Sequence, residues 1–205
     1  RDTALALCTA AFFVTMFGRL AISPVIPAIT DDFGVSNATI GLALTGMWFA
    51  YGIAQYPSGL LADRYGERSI VLVAIGGTGA MGLLIAIAPA YTVLFLFTVL
   101  LGAVAGLHFS VATSFVSRLY DDVGLPIGVH NLGGPAAGLI APVIVAWVAL
   151  RYDWRLAMVL TTVIAVPVFA LFARRLRPTE PRRPEARLRD RIHVRPAIEL
   201  LSRPE

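Results

Sequence analysis

The sequence of 205 residues contains one cysteine, Cys8, and no lysine. A single thiol excludes an intramolecular disulfide and a metal site built from several thiolates. Acidic residues are also scarce, because the chain has only 13 and none falls inside its long apolar runs. Without paired carboxylates, metal-ligand spacing or a nucleophile beside a base, the sequence does not indicate an enzyme, and we expect no cofactor and no metal.

The chain is rich in apolar residues instead: 57% are hydrophobic, and the mean hydropathy is +0.75. The apolar residues form runs of about twenty, which is the length a helix needs to cross a bilayer. Pro24 and Pro27 should bend the outer part of the first run, and closely spaced glycines in the third and fourth predict tight helix packing. We predict an all-α membrane protein whose six transmembrane spans cover residues 5–29, 39–62, 70–88, 92–116, 126–149 and 156–173.

Spans 2 and 3 are separated by the densest group of charges that lies between two apolar runs, Gly59-Leu60-Leu61-Ala62-Asp63-Arg64-Tyr65-Gly66-Glu67-Arg68. A charged turn of this kind must emerge at a membrane face. Gly59 would allow a neighbouring helix to approach, and Gly66 would allow a tight turn. Asp63 can accept hydrogen bonds from Arg64, Arg68 or a helix N-terminus. The pattern predicts a charged gating motif, and the alternative is a solvated loop.

The arginines indicate the orientation of the chain. More of them follow spans 2, 4 and 6 than lie on the other side, so that side should be cytoplasmic, with both ends of the chain inside the cell and the spans in the plasma membrane. Residues 174–205 carry ten arginines and five prolines, and prolines interrupt any long helix. We therefore expect a membrane bundle over residues 1–173 and a cytoplasmic linker over 174–205. The net charge of +4 comes largely from this tail and does not indicate nucleic-acid binding.

The sequence repeats weakly at an offset of 87 residues. The offset aligns one set of residues with another, namely Ala62, Arg64, Tyr65 and Arg68 with Ala149, Arg151, Tyr152 and Arg155. Spans 1–3 and spans 4–6 therefore resemble two copies of one unit. An odd number of spans in each copy gives the copies opposite orientations, which is the inverted-repeat arrangement of secondary transporters.

Arg19 is the one charged residue that falls well inside a predicted span. It lies roughly 20 Å along a helix that begins near residue 5, at about 1.5 Å per residue. A charge at that depth usually faces a partner or a water-filled cavity, and no span contains a carboxylate. An unpaired guanidinium suits a carboxylate or a phosphate, so we predict anion binding. The alternatives are snorkelling to the headgroups and a salt bridge to residues outside this chain.

Further polar and aromatic side chains inside the spans complete the predicted substrate site. Histidine can hydrogen-bond an anion or take up a proton near neutral pH, and tyrosine and tryptophan combine an apolar body with a polar group. For each of these residues the alternative is a structural role or contact with lipid. The candidates besides Arg19 are Trp48, Tyr51, Gln55, His108, His130 and Asn131.

The pattern Gly59-x-x-x-Asp63-Arg64-x-Gly66-x-Arg68, placed after the second span, resembles the loop 2–3 signature of the major facilitator superfamily. Ser69 stands where a second basic residue is common. The resemblance covers roughly residues 5–175 and implies half of a major facilitator fold, with two inverted three-helix repeats. This chain would be the N-terminal half, and an anion site would lie between it and a second bundle, with alternating access.

Within that superfamily, the run from Arg19 to Pro27 is similar to the first span of organic-anion and organophosphate members. The run His130-Asn131-x-Gly133-Gly134 resembles the fifth span of glycerol-3-phosphate and sugar-phosphate antiporters. The resemblance implies that Arg19, Tyr51 and His130 contact the anion. Exchange of one anion for another is the simpler expectation, because proton symport would need a histidine of this half or residues of the other half.

Three positions depart from the organophosphate pattern. Gln55 stands where those relatives have a lysine, and Phe12 and Met16 stand where they have tyrosines. The site would be less cationic and less polar, so a monocarboxylate or another small organic anion fits better than a phosphate ester.

Two other functions remain as alternatives. The run Gly134-Pro135-x-x-Gly138 partly resembles the fifth-span motif of drug/proton antiporters, although Thr98 stands nearest to the arginine that those proteins have in span 4. A proton-coupled drug exporter is therefore the runner-up. A non-transporting membrane sensor or scaffold is the third class, and it leaves an unpaired intramembrane arginine unexplained.

Overall fold

The structure is a computed structural model that describes residues 1–183, so most of the expected linker lies outside the described residues. Every regular element in this part of the chain is helical, which confirms the all-α prediction. The α-helices are α1 (Asp2–Leu20), α2 (Ile26–Phe33), α3 (Asn37–Tyr65), α4 (Glu67–Ala86), α5 (Tyr91–Gly106), α6 (Phe109–Ser117), α7 (Gly124–Asn131), α8 (Gly133–Arg151) and α9 (Trp154–Arg175).

Within residues 1–183, five helical segments are long and apolar enough to cross a membrane: Asp2–Phe33, Glu67–Ala86, Tyr91–Ser117, Gly124–Arg151 and Trp154–Arg175. The remaining long helix, α3, has 29 residues, or about 43 Å at about 1.5 Å per residue. Glycines, polar residues and aromatic residues lower its hydropathy below that of the other five. It nevertheless packs along α5, and its place as the second of six spans stays a prediction.

Spans 1, 4 and 5 are each divided into two helices. A 3-10 turn at Ser23–Val25, which contains Pro24, separates α1 from α2, and this confirms the predicted bend. The other breaks, at 107–108 and at Leu132, were not predicted from the sequence. Irregular backbone at membrane depth is tolerated only where protein buries it or a cavity adjoins it. Each of the three breaks is therefore expected to be buried by protein or to adjoin a cavity.

The packing of the helices follows the internal repeat. When whole spans are compared, the most extensive contacts join spans 1 and 5, spans 2 and 4, and spans 3 and 6. Exchanging spans 1–3 with spans 4–6 converts the first pair into the second and leaves the third unchanged. The tertiary contacts thus agree with two copies related by a pseudo-twofold axis.

Glycines allow α5 to lie directly against α3. A Cβ atom at Gly106 would lie 2.5 Å from the carbonyl oxygen of Tyr51, and one at Gly102 would overlap the backbone of Met47. The predicted close packing at these positions is confirmed. Because this contact holds the α3 backbone at Tyr51, it also determines where that side chain can reach.

The charged segment between spans 2 and 3 is almost entirely helical, contrary to the expectation of a turn several residues long. Gly66 alone separates α3 from α4, with a φ angle of 81° that favours glycine. A helix can continue past the hydrocarbon region because its backbone hydrogen bonds need no change there. The charges are therefore displayed on helix ends rather than on a loop.

Candidate functional site

Arg19 lies in the last turn of α1, directly before the break in the first span. Its side chain is fully enclosed, since only 1% of the residue is exposed. Its Nε donates to the carbonyl oxygen of Thr15 at 3.1 Å, and Nη2 contacts the sulfur of Met16. Nη1 has no hydrogen-bond partner among residues 1–183. One N–H group of a buried cation is thus left able to bind a ligand.

Two aromatic rings of α3 cover the guanidinium group. The Cζ atom of Arg19 lies 3.8 Å from the ring centroid of Tyr51 and 4.8 Å from that of Trp48. Cation–π attraction of this kind contributes about 0.5–2 kcal/mol. We expected the guanidinium to face a water-filled cavity, but ring faces and a backbone carbonyl surround it instead. Trp48 is 44% exposed and forms the outer part of this cover.

The part of the chain that the structure describes provides no carboxylate for Arg19. The four ion pairs found in residues 1–183 all involve arginines other than Arg19. A buried guanidinium without a counter-ion favours an anion that comes from outside the bundle.

His108 and His130 lie together beside α1. Both residues are fully buried, and their ring centroids are 5.6 Å apart. Phe12 contacts both, with centroid distances of 5.8 Å to His108 and 5.4 Å to His130. His130 also approaches the backbone of Cys8, but no ring nitrogen of either histidine makes a hydrogen bond of ordinary geometry within residues 1–183.

Two of the predicted substrate residues lie outside this buried group. Gln55 is half-buried, and its backbone carbonyl accepts a hydrogen bond from Ser58 at 2.6 Å. Asn131 is exposed at the end of α7. The structure therefore brings together Arg19, Trp48 and Tyr51 in one group and His108 with His130 in another.

At the α3–α4 junction, four residues form what we term the charge cluster: Asp63, Glu67, Arg118 and Arg182. Glu67 is buried and pairs with Arg118, while Nη2 of Arg182 lies 3.2 Å from Glu67 Oε1. Nη1 of Arg182 lies 3.8 Å from Asp63 Oδ1. Partial burial lowers the pKa of the Arg118 guanidinium, and the Glu67 carboxylate acts in the opposite direction.

The charge cluster differs from the predicted gating motif in its partners. Asp63 pairs with Arg182, whereas Arg64 lies against the ring of Tyr65 and Arg68 donates to the carbonyl oxygen of Ala173 at 2.5 Å. The sequence analysis did not select Glu67, Arg118 or Arg182. The one signal for Glu67 was its place inside the charged segment between spans 2 and 3.

The two glycines of the motif have different surroundings. Gly66 makes the tight turn that was predicted, and the backbone of Thr179 lies directly over it. A Cβ atom at Gly59 would meet no atom within 4 Å among the described residues. No helix in this part of the chain therefore uses the close approach that Gly59 allows.

Comparison with known proteins places these features in context. The model of the Major Facilitator Superfamily matches residues 8–205. The chain is 26% identical to the hexuronate transporter of Bacillus subtilis over 75% of its own length and 37% of that protein. It is also 26% identical to the membrane sensor protein UhpC of Escherichia coli, over 78% of the chain and 37% of the relative.

A third relative is the puromycin resistance protein pur8 of Streptomyces alboniger, which is 28% identical over 87% of this chain and 36% of that protein. The chain thus spans less than two fifths of the length of these relatives. Among solved structures, the peptide transporter POT in complex with sulfate superposes with a TM-score of 0.77 at 18% identity. That superposition covers 97% of this chain and 43% of the transporter, and it shows a shared fold.

Proposed function

Since the chain belongs to the Major Facilitator Superfamily, a family of transporters rather than enzymes, we propose that it forms half of a secondary active transporter for a small organic anion. Access to the anion site alternates between the two membrane faces as this bundle moves against a second one. The observation that carries the proposal is Arg19, a buried guanidinium with an unpartnered N–H group and no carboxylate beside it in the described residues.

The geometry supports a specific way of binding. The anion approaches from the exposed side of Trp48, displaces that ring and accepts a hydrogen bond from Nη1 of Arg19. Tyr51 stays against the guanidinium and orients it. Because only 1% of Arg19 is exposed, a charge-assisted hydrogen bond there is stronger than on the surface. Binding neutralises the buried charge, which favours closure of the site around the anion.

A single cation bordered by aromatic rings and the sulfur of Met16 suits one carboxylate group better than a phosphate ester. A phosphate ester carries close to two negative charges at neutral pH and would require a second cation. The hexuronate transporter among the relatives also supports a monocarboxylate. We therefore expect a small organic anion with a single carboxylate, bound by Arg19 and Tyr51 and assisted by His130.

The second bundle is the expected partner, together with the lipid bilayer. Large apolar side chains are exposed along one stripe of α3, at Leu42, Phe49 and Ile53, and along another of α8, at Leu139 and Val143. Apolar surface of this extent requires a partner or lipid. In this proposal residues 174–205 lead to the second bundle on the cytoplasmic side, and the protein lies in the plasma membrane with the charge cluster facing the cytoplasm.

Two alternatives rest on the other relatives. The similarity to a membrane sensor protein favours a receptor that binds an anion without transporting it. The similarity to a puromycin resistance protein favours a drug exporter, in which the substrate would not depend on Arg19.

The test is binding by the purified full-length protein. Glucuronate, benzoate and glycerol 3-phosphate serve as anionic probes, glucose as the neutral probe and puromycin as the cationic one. We expect at least one monocarboxylate to bind and Arg19→Gln to abolish that binding, while Arg151→Gln, which removes an exposed arginine at the end of α8, has no effect. Anion binding that survives Arg19→Gln would contradict the proposal. Binding without flux into proteoliposomes would identify the sensor, and binding of puromycin alone would identify the exporter.

A further inference from the structure

The three nitrogen atoms of the Arg19 guanidinium differ in how well they are satisfied. Nε donates to the backbone carbonyl oxygen of Thr15 at 3.1 Å, and Nη2 lies 2.6 Å from the sulfur of Met16. Nη1 has no hydrogen-bond partner among residues 1–183. Because a thioether sulfur is a weak acceptor, the two Nη atoms are together poorly satisfied for a buried cation. A carboxylate, which has two oxygens on one carbon, can accept from both at once.

Met16 shares one face of α1 with Phe12 and Arg19, since residues three and four positions apart lie on the same side of a helix. The helix α8 passes close to this face. A Cβ atom at Gly134 would lie 2.8 Å from Cε1 of Phe12 and 3.7 Å from Cγ of Met16. Next to the guanidinium, this face therefore presents a benzene ring and a thioether, and neither is a strong hydrogen-bonding group.

Met16 can also move, whereas Arg19 is held. Only 1% of Arg19 is exposed, but Met16 is half-buried. Methionine is unbranched and has three rotatable bonds, so it adapts to a change in its surroundings at little cost. A stronger acceptor that enters from outside can therefore take the place of the sulfur at Nη2.

We infer that Met16 determines which anions this site accepts, and that these are monocarboxylates with an apolar body. The inference rests on the proposed function and specifies its substrate class. The carboxylate displaces the sulfur and binds Nη1 and Nη2 together, in the bidentate geometry that suits arginine. The body of the anion then lies where the Met16 side chain was, against the displaced thioether and the ring of Phe12.

This arrangement selects against hydroxyl groups close to the carboxylate. Such a hydroxyl would leave water and lie against a thioether and a benzene ring, where it finds no strong partner. A polar residue at position 16 should have the opposite effect. The amide of a glutamine would compete with the carboxylate for Nη2 and would also offer a partner to the hydroxyl groups of the anion. Met16 thus acts on selectivity, which a residue that only fills space would not do.

The experiment is titration calorimetry of the full-length protein with cyclohexanecarboxylate and glucuronate. Both have one carboxylate on a six-membered ring, and they differ chiefly in the hydroxyl groups of glucuronate. We expect cyclohexanecarboxylate to bind about 5- to 150-fold more tightly. Met16→Gln should weaken cyclohexanecarboxylate about tenfold and glucuronate less, so that the ratio of the two affinities falls at least about threefold. Met16→Leu, which removes the sulfur but stays apolar, should keep the preference.

The matched control is Met81→Gln, which changes another half-buried methionine, one that packs against the apolar core from α4. It should leave the ratio of affinities unchanged. Tighter binding of glucuronate than of cyclohexanecarboxylate by the wild-type protein would overturn the inference, and this comparison needs no variant to fold. An unchanged ratio in Met16→Gln would overturn it as well.

The dependence on Arg19 separates this inference from the proposed function. If either outcome that overturns the inference is found while Arg19→Gln still abolishes binding, the role of Met16 falls and the anion site stands. Binding of both acids that survives Arg19→Gln would contradict the anion site itself. If the wild-type protein binds no anionic probe, the proposed function and the role of Met16 both fall.

Discussion

Arg19 shows how one charged residue can be held inside a membrane bundle with no acidic partner among residues 1–183. Its Nε is satisfied by the carbonyl oxygen of Thr15 one turn earlier, and the faces of Tyr51 and Trp48 replace part of the lost hydration. These contacts reduce the cost of burial but leave the positive charge unneutralised. The residue is therefore held in place, as the proposed binding of an anion requires.

The role of Tyr51 can be tested by separating its ring from its hydroxyl group. Tyr51→Phe keeps the ring 3.8 Å from the guanidinium and should change anion affinity by less than about threefold. Tyr51→Ala removes a cation–π contact worth about 0.5–2 kcal/mol and frees the guanidinium to turn, so affinity should fall about 2- to 30-fold. Titration calorimetry with the best probe measures both, and equal effects of the two changes would contradict the stacking role.

At the scale of the element, three candidate residues lie at the interruptions of the spans. Arg19 lies directly before the break in the first span, and His108 and His130 lie at the breaks in the fourth and fifth. A break allows the helix to change direction, so that a polar side chain at that level points into the bundle. The sequence signalled the first break through Pro24, whereas the other two have no proline at the break.

The glycine contact between α3 and α5 positions the aromatic cover of Arg19. In Gly106→Leu the new Cβ atom would lie 2.5 Å from the carbonyl oxygen of Tyr51, which is too close. We expect α3 to be pushed outward, at a cost of about 1–3 kcal/mol in stability. Thermal unfolding in detergent should show a lower Tm, and the best anionic probe should bind more weakly.

Gly41→Leu is the matched control, because Gly41 lies on α3 and a Cβ atom there would meet nothing within 4 Å. Gly41→Leu should change neither the Tm nor the affinity for the anionic probe. If Gly106→Leu also left anion affinity unchanged, α5 would not be what positions Tyr51.

At the scale of the whole molecule, the charge cluster joins parts of the chain that are far apart in sequence. Glu67 and Arg118 are 51 residues apart, and Arg182 comes from the segment that follows α9. The same segment places Thr179 over Gly66, where its hydroxyl oxygen accepts from the Arg68 N–H at 3.0 Å. The segment after span 6 is thereby held against the start of span 3, which restricts how that face of the bundle can move.

We expect the acids of the charge cluster to hold this segment in place, and a cysteine reporter can measure it. Cys8 is fully buried and is the single cysteine of the chain, so Thr179→Cys adds one half-buried thiol that becomes accessible when the segment is released. Asp63→Asn should raise its rate of maleimide labelling about two- to fivefold, since an exposed ion pair contributes about 0.2–1 kcal/mol. Glu67→Gln should raise the rate further, because two arginines lose a buried partner.

Asp122→Asn is the control for this measurement. Its carboxylate accepts from the backbone N–H of Gly124 and lies outside the charge cluster. Labelling rates that are equal in all three variants would show that the acids do not hold the segment.

The sequence by itself determined the helical class, the approximate spans and the depth of Arg19, because hydropathy and helix length are local properties of the chain. It also indicated the close packing of Gly102 and Gly106, since the spacing of small residues is local as well. The superfamily followed from a short motif whose position between two apolar runs can be read directly.

Only the tertiary structure decided the partners of these residues. The aromatic cover of Arg19, the meeting of His108 with His130 and the pairing of Glu67 with Arg118 all join different helices. Each depends on the relative rotation and depth of two helices, and many sequences with the same hydropathy would set these differently. The sequence of one apolar helix determines its length and which side chains share a face. Which side chains of two helices meet depends on how the helices pack against each other.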